Sequence, residues 1–282
     1  MKKVLAVLLA VAMLFAFAAC GGNGGNDETK ATPVVLDMAL TEEEYAFGVD
    51  KAQPELLEKA NDFIDKIMED GTFDKICNNY FGDGEPVAVY SAVEDASKDQ
   101  LVVATNAAFE PFEFTKGDAY YGIDMEIAAL FAEELGVELV INNMDFDSVC
   151  LSVGQHKCDI AMAGLTVKPD REEYVTFTKS YYQASQKIIA MSDDEAFKDC
   201  VELADYEAVL NGLAETVKIG VQNGTTGNFY VAGDADWGFD GLAAECVGYK
   251  NGSLAVQDLI NGNIDYVIID EAPAECIVAA MQ

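Results

Sequence analysis

The chain has 282 residues, with 50 acidic and 17 basic side chains, a net charge of −33 and an apolar fraction of 51%. This composition is typical of a folded chain with one large domain or two lobes, and it excludes a disordered acidic tail. The charge argues against binding to nucleic acid and against electrostatic docking on anionic lipid, because both need a basic surface. A single histidine leaves little material for a zinc site or a catalytic triad. We therefore expect no metal and no cofactor.

The N-terminal residues predict export and membrane attachment. Two lysines, an apolar run over residues 4–19 and small residues before Cys20 describe a secretory signal peptide, residues 1–19. The run is shorter than the roughly 20 apolar residues that a membrane-spanning helix needs. The sequence FAACG at 17–21 resembles a bacterial lipobox, which implies a lipidated Cys20 and stable anchoring by two acyl chains. Residues 20–33 then form a flexible polar tether on the extracytoplasmic side of the cell membrane.

The rest of the chain alternates strand and helix patterns after a polar, weakly patterned linker, residues 83–99. The predicted strands are 101–104, 137–141, 159–162, 217–221 and 264–269, and the predicted helices are 122–136, 145–153, 225–230 and 253–260. This alternation favours α/β units with largely parallel sheets. The extended stretch 181–191 separates two such sets and predicts two lobes, with the acidic segment 193–215 as an excursion at the start of the second lobe.

The cysteines and the histidine outside the N-terminal segment show no pattern of a metal site. The six cysteines lack a Cys-x-x-Cys pair, and their even number permits disulfides without requiring them. We expect most of them to be small buried side chains. They are Cys77, Cys150, Cys158, Cys200, Cys246 and Cys276. His156 lies in a polar turn, where we expect it to be solvated.

Several segments, in their order along the chain, resemble the family-3 extracellular solute-binding proteins, which deliver polar amino acids to ABC transporters. They are residues 104–112 (ATNAAFEPF), 121–127 (YGIDMEI), 145–147 (DFD), 158–171 (CDIAMAGLTVKPDR), 177–182 (FTKSYY), 220–226 (GVQNGTT) and 265–271 (DYVIIDE). The resemblance implies the two-lobed α/β fold of type 2 periplasmic binding proteins, with a ligand cleft between the lobes. It also implies capture of a free polar amino acid by hinge closure, an ABC transporter permease as partner, and a monomer.

The order of the segments departs from the family in one place. Residues 40–82 resemble the family's C-terminal end but precede its N-terminal end, which indicates a circular permutation with the linker joining the old ends. Residues 34–43 are then a strand returning from lobe 2, 44–189 form lobe 1 and 190–282 form lobe 2. The strands crossing between lobes should be 45–49 and 181–188. A recombined gene fragment, or exchange of the segment between two chains, would explain the same order.

The resemblance also assigns the groups that bind a zwitterion. Arg171 is the only arginine in the chain and stands at the family's position for the ligand carboxylate, which a two-pronged guanidinium fits better than lysine does. Asp270, at the end of a predicted strand, is the expected partner of the ligand ammonium. Its position before a predicted helix also favours a role as the N-cap of that helix, and the two roles are compatible.

Further ligand contacts follow from the same resemblance. Phe109 and Phe146 match aromatic positions that hold the ligand side chain, although either residue alone would be read as core. Asn106 and Gln222 are expected to bind the polar end of that side chain. Many relatives with cationic ligands have Asp at the position of Asn106, which mildly favours a neutral ligand here. The residues expected to help hold the carboxylate are Ala163, Gly164, Thr166, Thr225 and Thr226.

Two other functions fit the same scaffold. Some periplasmic dehydratases resemble these binding proteins, but the sequence offers no acid–base pair beyond the residues that would hold a zwitterion. We therefore expect no catalytic residues and no enzymatic activity. A sensory module without a transport role is the second alternative, and no kinase or channel segment in the sequence supports it.

Overall fold

The computed structural model describes residues 31–281, and the predictions made for the signal peptide, for Cys20 and for most of the tether lie outside the described residues. The strands are β1 (Pro33–Val35), β2 (Glu43–Asp50), β3 (Gln100–Thr105), β4 (Ala108–Phe109), β5 (Glu113–Lys116), β6 (Ala119–Tyr121), β7 (Glu138–Asn143), β8 (Ile160–Ala161), β9 (Val175–Ala184), β10 (Gln186–Met191), β11 (Lys218–Gln222), β12 (Glu245–Tyr249) and β13 (Tyr266–Asp270). The α-helices are α1 (Pro54–Glu69), α2 (Thr72–Phe81), α3 (Ile123–Leu135), α4 (Val149–Gly154), α5 (Leu203–Asn211), α6 (Thr226–Ala232), α7 (Gly252–Ile260) and α8 (Glu271–Ala280). Short 3₁₀ helices lie at Phe146–Ser148 and Arg171–Glu173.

Two five-stranded sheets organise the two lobes. The lobe 1 sheet has the order β7-β3-β8-β2-β9, and the lobe 2 sheet has the order β1-β10-β13-β11-β12. In each sheet three strands are parallel, namely β3, β7 and β8 in lobe 1 and β11, β12 and β13 in lobe 2. The remaining strands of each sheet run antiparallel to their neighbours. The predicted α/β class is confirmed, and the antiparallel edges come from the segments that cross between the lobes.

Local sequence explains why the main elements form where they do. All five residues of β13, Tyr-Val-Ile-Ile-Asp, are buried, and such continuous apolar runs are typical of central parallel strands. Helix α1 begins with Pro54, whose fixed φ suits a first helical turn, and its apolar residues recur at helical spacing and are buried. Helix α3 ends at Gly136, which adopts the left-handed conformation that closes many helices.

The segment that comes first in the described chain completes both sheets. Strand β1 pairs with β10 in lobe 2, and β2 lies between β8 and β9 in lobe 1. Helix α1 packs against β9 and α2 packs against α3, so that residues 54–81 belong to lobe 1. This segment therefore contributes one strand to each sheet and two helices to lobe 1.

The linker follows the surface of lobe 1. The Val89 and Tyr120 backbones form an isolated bridge, Ala92 N–H donates to the Leu139 carbonyl, and Ile141 N–H donates to Ser91 Oγ. The linker therefore covers the outer edge of β7, which would otherwise present unpaired backbone groups.

The boundary between the lobes differs from the predicted one. Residues 186–189 were assigned to lobe 1, but they belong to β10, which pairs with β1 and β13 in the lobe 2 sheet. The chain leaves the lobe 1 sheet at Ala184 and crosses at Ser185. Strands β9 and β10 form one extended stretch in sequence, and their partner strands decide which residues belong to which sheet.

The cysteines and the histidine carry no cross-link or metal cluster in the described part of the chain. Its six cysteines are free thiols, of which Cys150 and Cys158 are buried and the other four are half-buried. His156 is exposed and has φ 57°, and its Nδ1 lies 2.7 Å from Asp50 Oδ2. Within residues 31–281 no group of three or more His, Cys, Asp or Glu side chains is arranged to hold a metal ion. None of the helices formed by these residues has the length and apolarity required to span a membrane.

Candidate functional site

Most of the side chains predicted to bind a ligand lie in a cleft between the two sheets. Gln222 Nε2 of lobe 2 donates a hydrogen bond of 3.2 Å to Asn106 Oδ1 of lobe 1. The hydroxyl oxygens of Thr226 and Thr166, one from each lobe, lie 3.3 Å apart. The lobes are thus in direct contact across the cleft, an arrangement that we call closed.

Arg171 spans the cleft from the short 3₁₀ helix that follows the loop after β8. Its guanidinium is buried and donates to the Thr166 carbonyl at 2.7 Å and to the Gly224 carbonyl of lobe 2 at 2.9 Å. It also lies over the ring of Phe146, 5.2 Å from the ring centroid. Since a guanidinium carries five N–H donors, further donors remain for a carboxylate. The predicted cation therefore lies inside the cleft and not on the surface.

Asp270 lies at the end of β13, also inside the cleft. Although it occupies the N-cap position of α8, its side chain makes no capping hydrogen bond. Its Oδ1 instead accepts a hydrogen bond of 2.5 Å from the Tyr45 hydroxyl. Burial is the main cause that raises the pKa of Asp270 to about 7, and the negative charge of Glu43 is the second cause. The carboxyl is therefore poised to ionise when a cation arrives.

Glu43 is a cleft residue that the sequence analysis missed. Its buried carboxylate accepts hydrogen bonds of 2.7 Å from the hydroxyls of Thr166 and Thr226, and a bond of 3.0 Å from Gln186 Nε2. We call Glu43 and Asp270 the cleft carboxyl pair. A signal was present, because Glu43 is in phase with the inward-facing Tyr45 along β2, and an acid at a buried strand position is uncommon.

The two threonines at the start of α6 have different roles. Thr225 Oγ1 accepts from the Asn228 N–H as an N-cap and donates to the Gln222 carbonyl at 2.8 Å. Its hydroxyl is therefore used within lobe 2, whereas the hydroxyl of Thr226 reaches Glu43. Of the two predicted contacts, Thr226 is the one whose side chain lies at the cleft.

The loop at residues 163–166 is held by a buried carboxylate of α3. The Gly164 N–H donates to Asp124 Oδ2 at 2.9 Å, and the Tyr181 hydroxyl donates to Asp124 Oδ1 at 2.6 Å. Burial raises the pKa of Asp124 to about 7, against the lowering effect of these two bonds. The N–H of Gly164 is thus already paired, in contrast to its expected role as a donor to the ligand. Glycine is needed there because φ is +52° and an added Cβ would lie 3.0 Å from the ring of Phe109.

The side chains expected to contact the variable part of a ligand also lie at the cleft. Phe109 is buried and packs against Phe112 with ring centroids 6.1 Å apart, and Phe146 is half-buried beneath the guanidinium. Asn106 donates to the Met144 carbonyl at 2.7 Å. Gln222 Oε1 is buried and accepts no hydrogen bond from the residues that the structure describes. The lobe 2 residue that contacts Asn106 across the cleft therefore also carries an acceptor that the described residues do not use.

Two sheets joined by two crossings, with an arginine and a carboxyl pair in the intervening cleft, define a two-lobed solute-binding protein. Residues 101–271 match the family of bacterial extracellular solute-binding proteins, family 3, and the chain belongs to that family. The resemblance read from the sequence motifs is confirmed.

Individual proteins show the same relationship. The arginine-binding extracellular protein ArtP of Bacillus subtilis (strain 168) is 32% identical over 107 residues, which are 37% of this chain and 42% of that protein. The arginine-bound Gly52Ala mutant of ArgBP from T. maritima has a TM-score of 0.54 at 31% identity, covering 64% of this chain and 78% of that chain. The ancestral amino acid-binding protein AncCDT-1, a precursor of cyclohexadienyl dehydratase, has a TM-score of 0.55 at 27% identity, covering 65% and 76%. This chain spans 42% to 65% of the length of four curated arginine-binding relatives.

Proposed function

We propose that this protein binds a free amino acid between its lobes on the extracytoplasmic side of the membrane and delivers it to the permease of an ABC importer. The observation that carries the proposal is the placement of the Arg171 guanidinium and the Asp270 carboxyl in one buried cleft. The ligand carboxylate would bind Arg171, and the ligand ammonium would bind Asp270. Ligand binding to both lobes would stabilise the closed arrangement.

Charge in the cleft favours a cationic amino acid. Glu43 and Asp270 provide two carboxyl groups against the single guanidinium of Arg171, so that a ligand with one net positive charge balances the site when both are ionised. The free acceptor of Gln222 suits a ligand rich in N–H donors. Relatives named as arginine-binding proteins lend the same support. We therefore favour arginine over the neutral ligand that Asn106 suggested.

A thermal-shift screen of the common amino acids, followed by titration calorimetry, tests this function. A ligand at 100 times its Kd adds about 2.7 kcal/mol to the free energy of unfolding. We expect arginine to raise Tm in the natural protein and not in Arg171→Ala, with Lys250→Ala as a matched control at an exposed cation. A lack of response to every amino acid would contradict the proposal.

We propose that the protein has no enzymatic activity. The kinship with AncCDT-1 makes a dehydratase the relevant alternative, and Asp270, with its raised pKa, is the group that would serve as an acid. Against this, the Asp270 carboxyl already accepts a hydrogen bond from the Tyr45 hydroxyl, and the role that we propose for it is to bind the ligand ammonium. We expect mass spectrometry to recover the bound ligand unchanged after prolonged incubation, whereas a dehydrated product would refute the proposal.

We further propose that a lipid on Cys20 attaches the protein to the membrane and that residues 20–33 act as the tether. The Cys20→Ser variant should lose incorporation of labelled fatty acid and appear in the soluble fraction. Stimulation of ATP hydrolysis by the reconstituted importer would support the transport role. Ligand binding without any such stimulation would support a sensory module instead.

We also propose that the chain is a circularly permuted monomer. The family match begins at residue 101, yet residues 33–82, outside that match, supply β1, β2, α1 and α2. A variant with the order restored, in which residues 100–282 precede residues 33–82 through a Gly-rich linker, should remain monomeric and bind with similar affinity. Light scattering that finds a dimer of the natural chain would favour exchange of the segment between chains.

A further inference from the structure

Lys168 is a buried cation that the ligand site does not use. It lies in the lobe 1 loop that carries Thr166 and leads to the 3₁₀ helix of Arg171, and its side chain is 1% exposed. Its Nζ lies 3.0 Å from Asp234 Oδ2 of lobe 2 and 3.3 Å from Asp170 Oδ2. Lysine is seldom fully buried unless it is paired, so this placement requires an explanation.

The pocket that receives Lys168 is built by lobe 2. Nζ lies 3.1 Å from the centroid of the Phe229 ring, in α6, and 5.5 Å from that of Trp237. Ammonium groups over aromatic rings gain more when they are desolvated, as here. The hydrogen bond from Lys168 lowers the pKa of Asp234, as an interacting pair requires. We call Lys168, Asp234, Phe229 and Trp237 the Lys168 latch.

Another ion pair across the cleft provides a contrast. Lys250 Nζ of lobe 2 lies 3.4 Å from Asp145 Oδ2 of lobe 1, but the two side chains are 73% and 65% exposed. Exposed pairs of this kind contribute little, because water and salt screen them. Lys250 is therefore a matched control, since it is also a lysine that pairs with an aspartate of the other lobe.

We propose that Lys168 is a positioning residue that holds the lobes closed and thereby slows ligand release. The latch contacts join the lobes and would be lost on opening, whereas the contact with Asp170 stays within lobe 1. Because Lys168 lies three residues before Arg171, the latch also holds the segment that carries Arg171 against lobe 2. An interaction made after encounter lowers the dissociation rate and leaves the association rate nearly unchanged. The effect on release rests on the proposed amino-acid binding, but the effect on closure does not.

The fluorescence of Trp237 can be used to follow the contact between Lys168 and lobe 2. Trp237 is the only tryptophan in the chain, and Lys168 Nζ lies beside its ring. Tryptophan emission, excited at a wavelength that the 12 tyrosines scarcely absorb, therefore reports on the surroundings of this one ring of the latch. Small-angle scattering of the ligand-free protein measures closure separately.

The test compares Lys168→Met, which keeps the apolar stem and removes the charge, with Lys250→Met. For Lys168→Met we expect arginine to dissociate at least about 10-fold faster, which corresponds to about 1.4 kcal/mol, with the association rate changed less than threefold. The ligand-free variant should have a larger radius of gyration and altered tryptophan emission. Lys250→Met should match the natural protein in every measurement.

A second variant keeps the proposal falsifiable if Lys168→Met does not fold. Asp234→Asn should show the same split between rates, and the double variant should lose much less than the sum of the two single effects. Folded latch variants with unchanged dissociation and scattering would overturn the proposal, as would an equal effect in Lys250→Met. If no amino acid binds, the proposed function fails, while scattering and fluorescence still decide whether the latch closes the lobes.

Discussion

Lowering the pH from 8 to 5 is predicted to weaken arginine binding, because the ligand ammonium requires Asp270 as a carboxylate. Burial and the neighbouring Glu43 raise the pKa of Asp270 from the ordinary 3.8 to about 7. A change of this size corresponds to about 4 kcal/mol that disfavours ionisation in the free protein. An ammonium in contact with the carboxyl lowers its pKa again, so that binding below pH 7 releases a proton.

The size of the change in affinity follows from the coupling between protonation of Asp270 and ligand binding. Well below a free-protein pKa of about 7, affinity should fall about tenfold for each pH unit, so that the Kd at pH 5 is about 50 times that at pH 7. Proton release should be about 0.9 per ligand at pH 6 and about 0.1 at pH 8. Titration calorimetry in two buffers of different ionisation enthalpy measures both quantities.

Variants of the cleft carboxyl pair sharpen this experiment. Glu43→Gln removes one of the two causes that raise the pKa of Asp270, namely the neighbouring charge, and leaves the other, burial. The midpoint of the pH dependence should therefore move to lower pH. Asp270→Asn should bind weakly and without this dependence. An affinity that stays flat from pH 5 to pH 8, with no proton release, would refute the assignment of Asp270 to the ligand ammonium.

Three further predictions concern the cleft and the fold. Arg171→Lys should weaken arginine binding about 100-fold, or about 3 kcal/mol, since an ammonium cannot pair bidentately with a carboxylate; unchanged calorimetric affinity would contradict this. Gly122→Ala should lower the free energy of unfolding by about 3 kcal/mol in urea titration, because φ is +124° and an added Cβ would lie 2.0 Å from the Phe112 carbonyl oxygen. Gly117→Ala, with φ +65° and nothing within 4 Å, should cost only about 1 kcal/mol, and equal losses would refute the steric argument. Because the pKa of Asp270 is raised in the folded protein, this group contributes stability to the ligand-free protein below pH 4, and that stability is lost as the pH rises through about 7. The Tm of the ligand-free protein should therefore fall from pH 5 to pH 8, and it should fall less in Asp270→Asn.

Strands and helices were predictable where their pattern was long. The buried apolar runs of β3, β7 and β13 and the helical spacing in α3 appear directly in the sequence. The small sheet β4-β5-β6 and strand β12 were not predicted. Strands of two to four residues, as in the small sheet, carry too little alternation to show a period, and β12 is only partly buried along its length.

The candidate site was predictable in part. The resemblance of the motifs placed Arg171 and Asp270 in one cleft, and the structure brings both there. Glu43 was missed because its environment depends on a strand that lies far away in sequence. The Tyr45 hydroxyl and Asp270, for example, are hydrogen-bonded across 225 positions of sequence.

The sequence by itself determined the α/β class, the acidic surface and the single arginine available for a carboxylate. Periodicity, propensity and composition are local properties, so a linear reading detects them. The tertiary structure alone decided that residues 186–189 belong to lobe 2, that Glu43 lies near Asp270, and that Lys168 enters a pocket of the other lobe. These outcomes depend on strand pairing and close packing between distant segments, which no local pattern encodes.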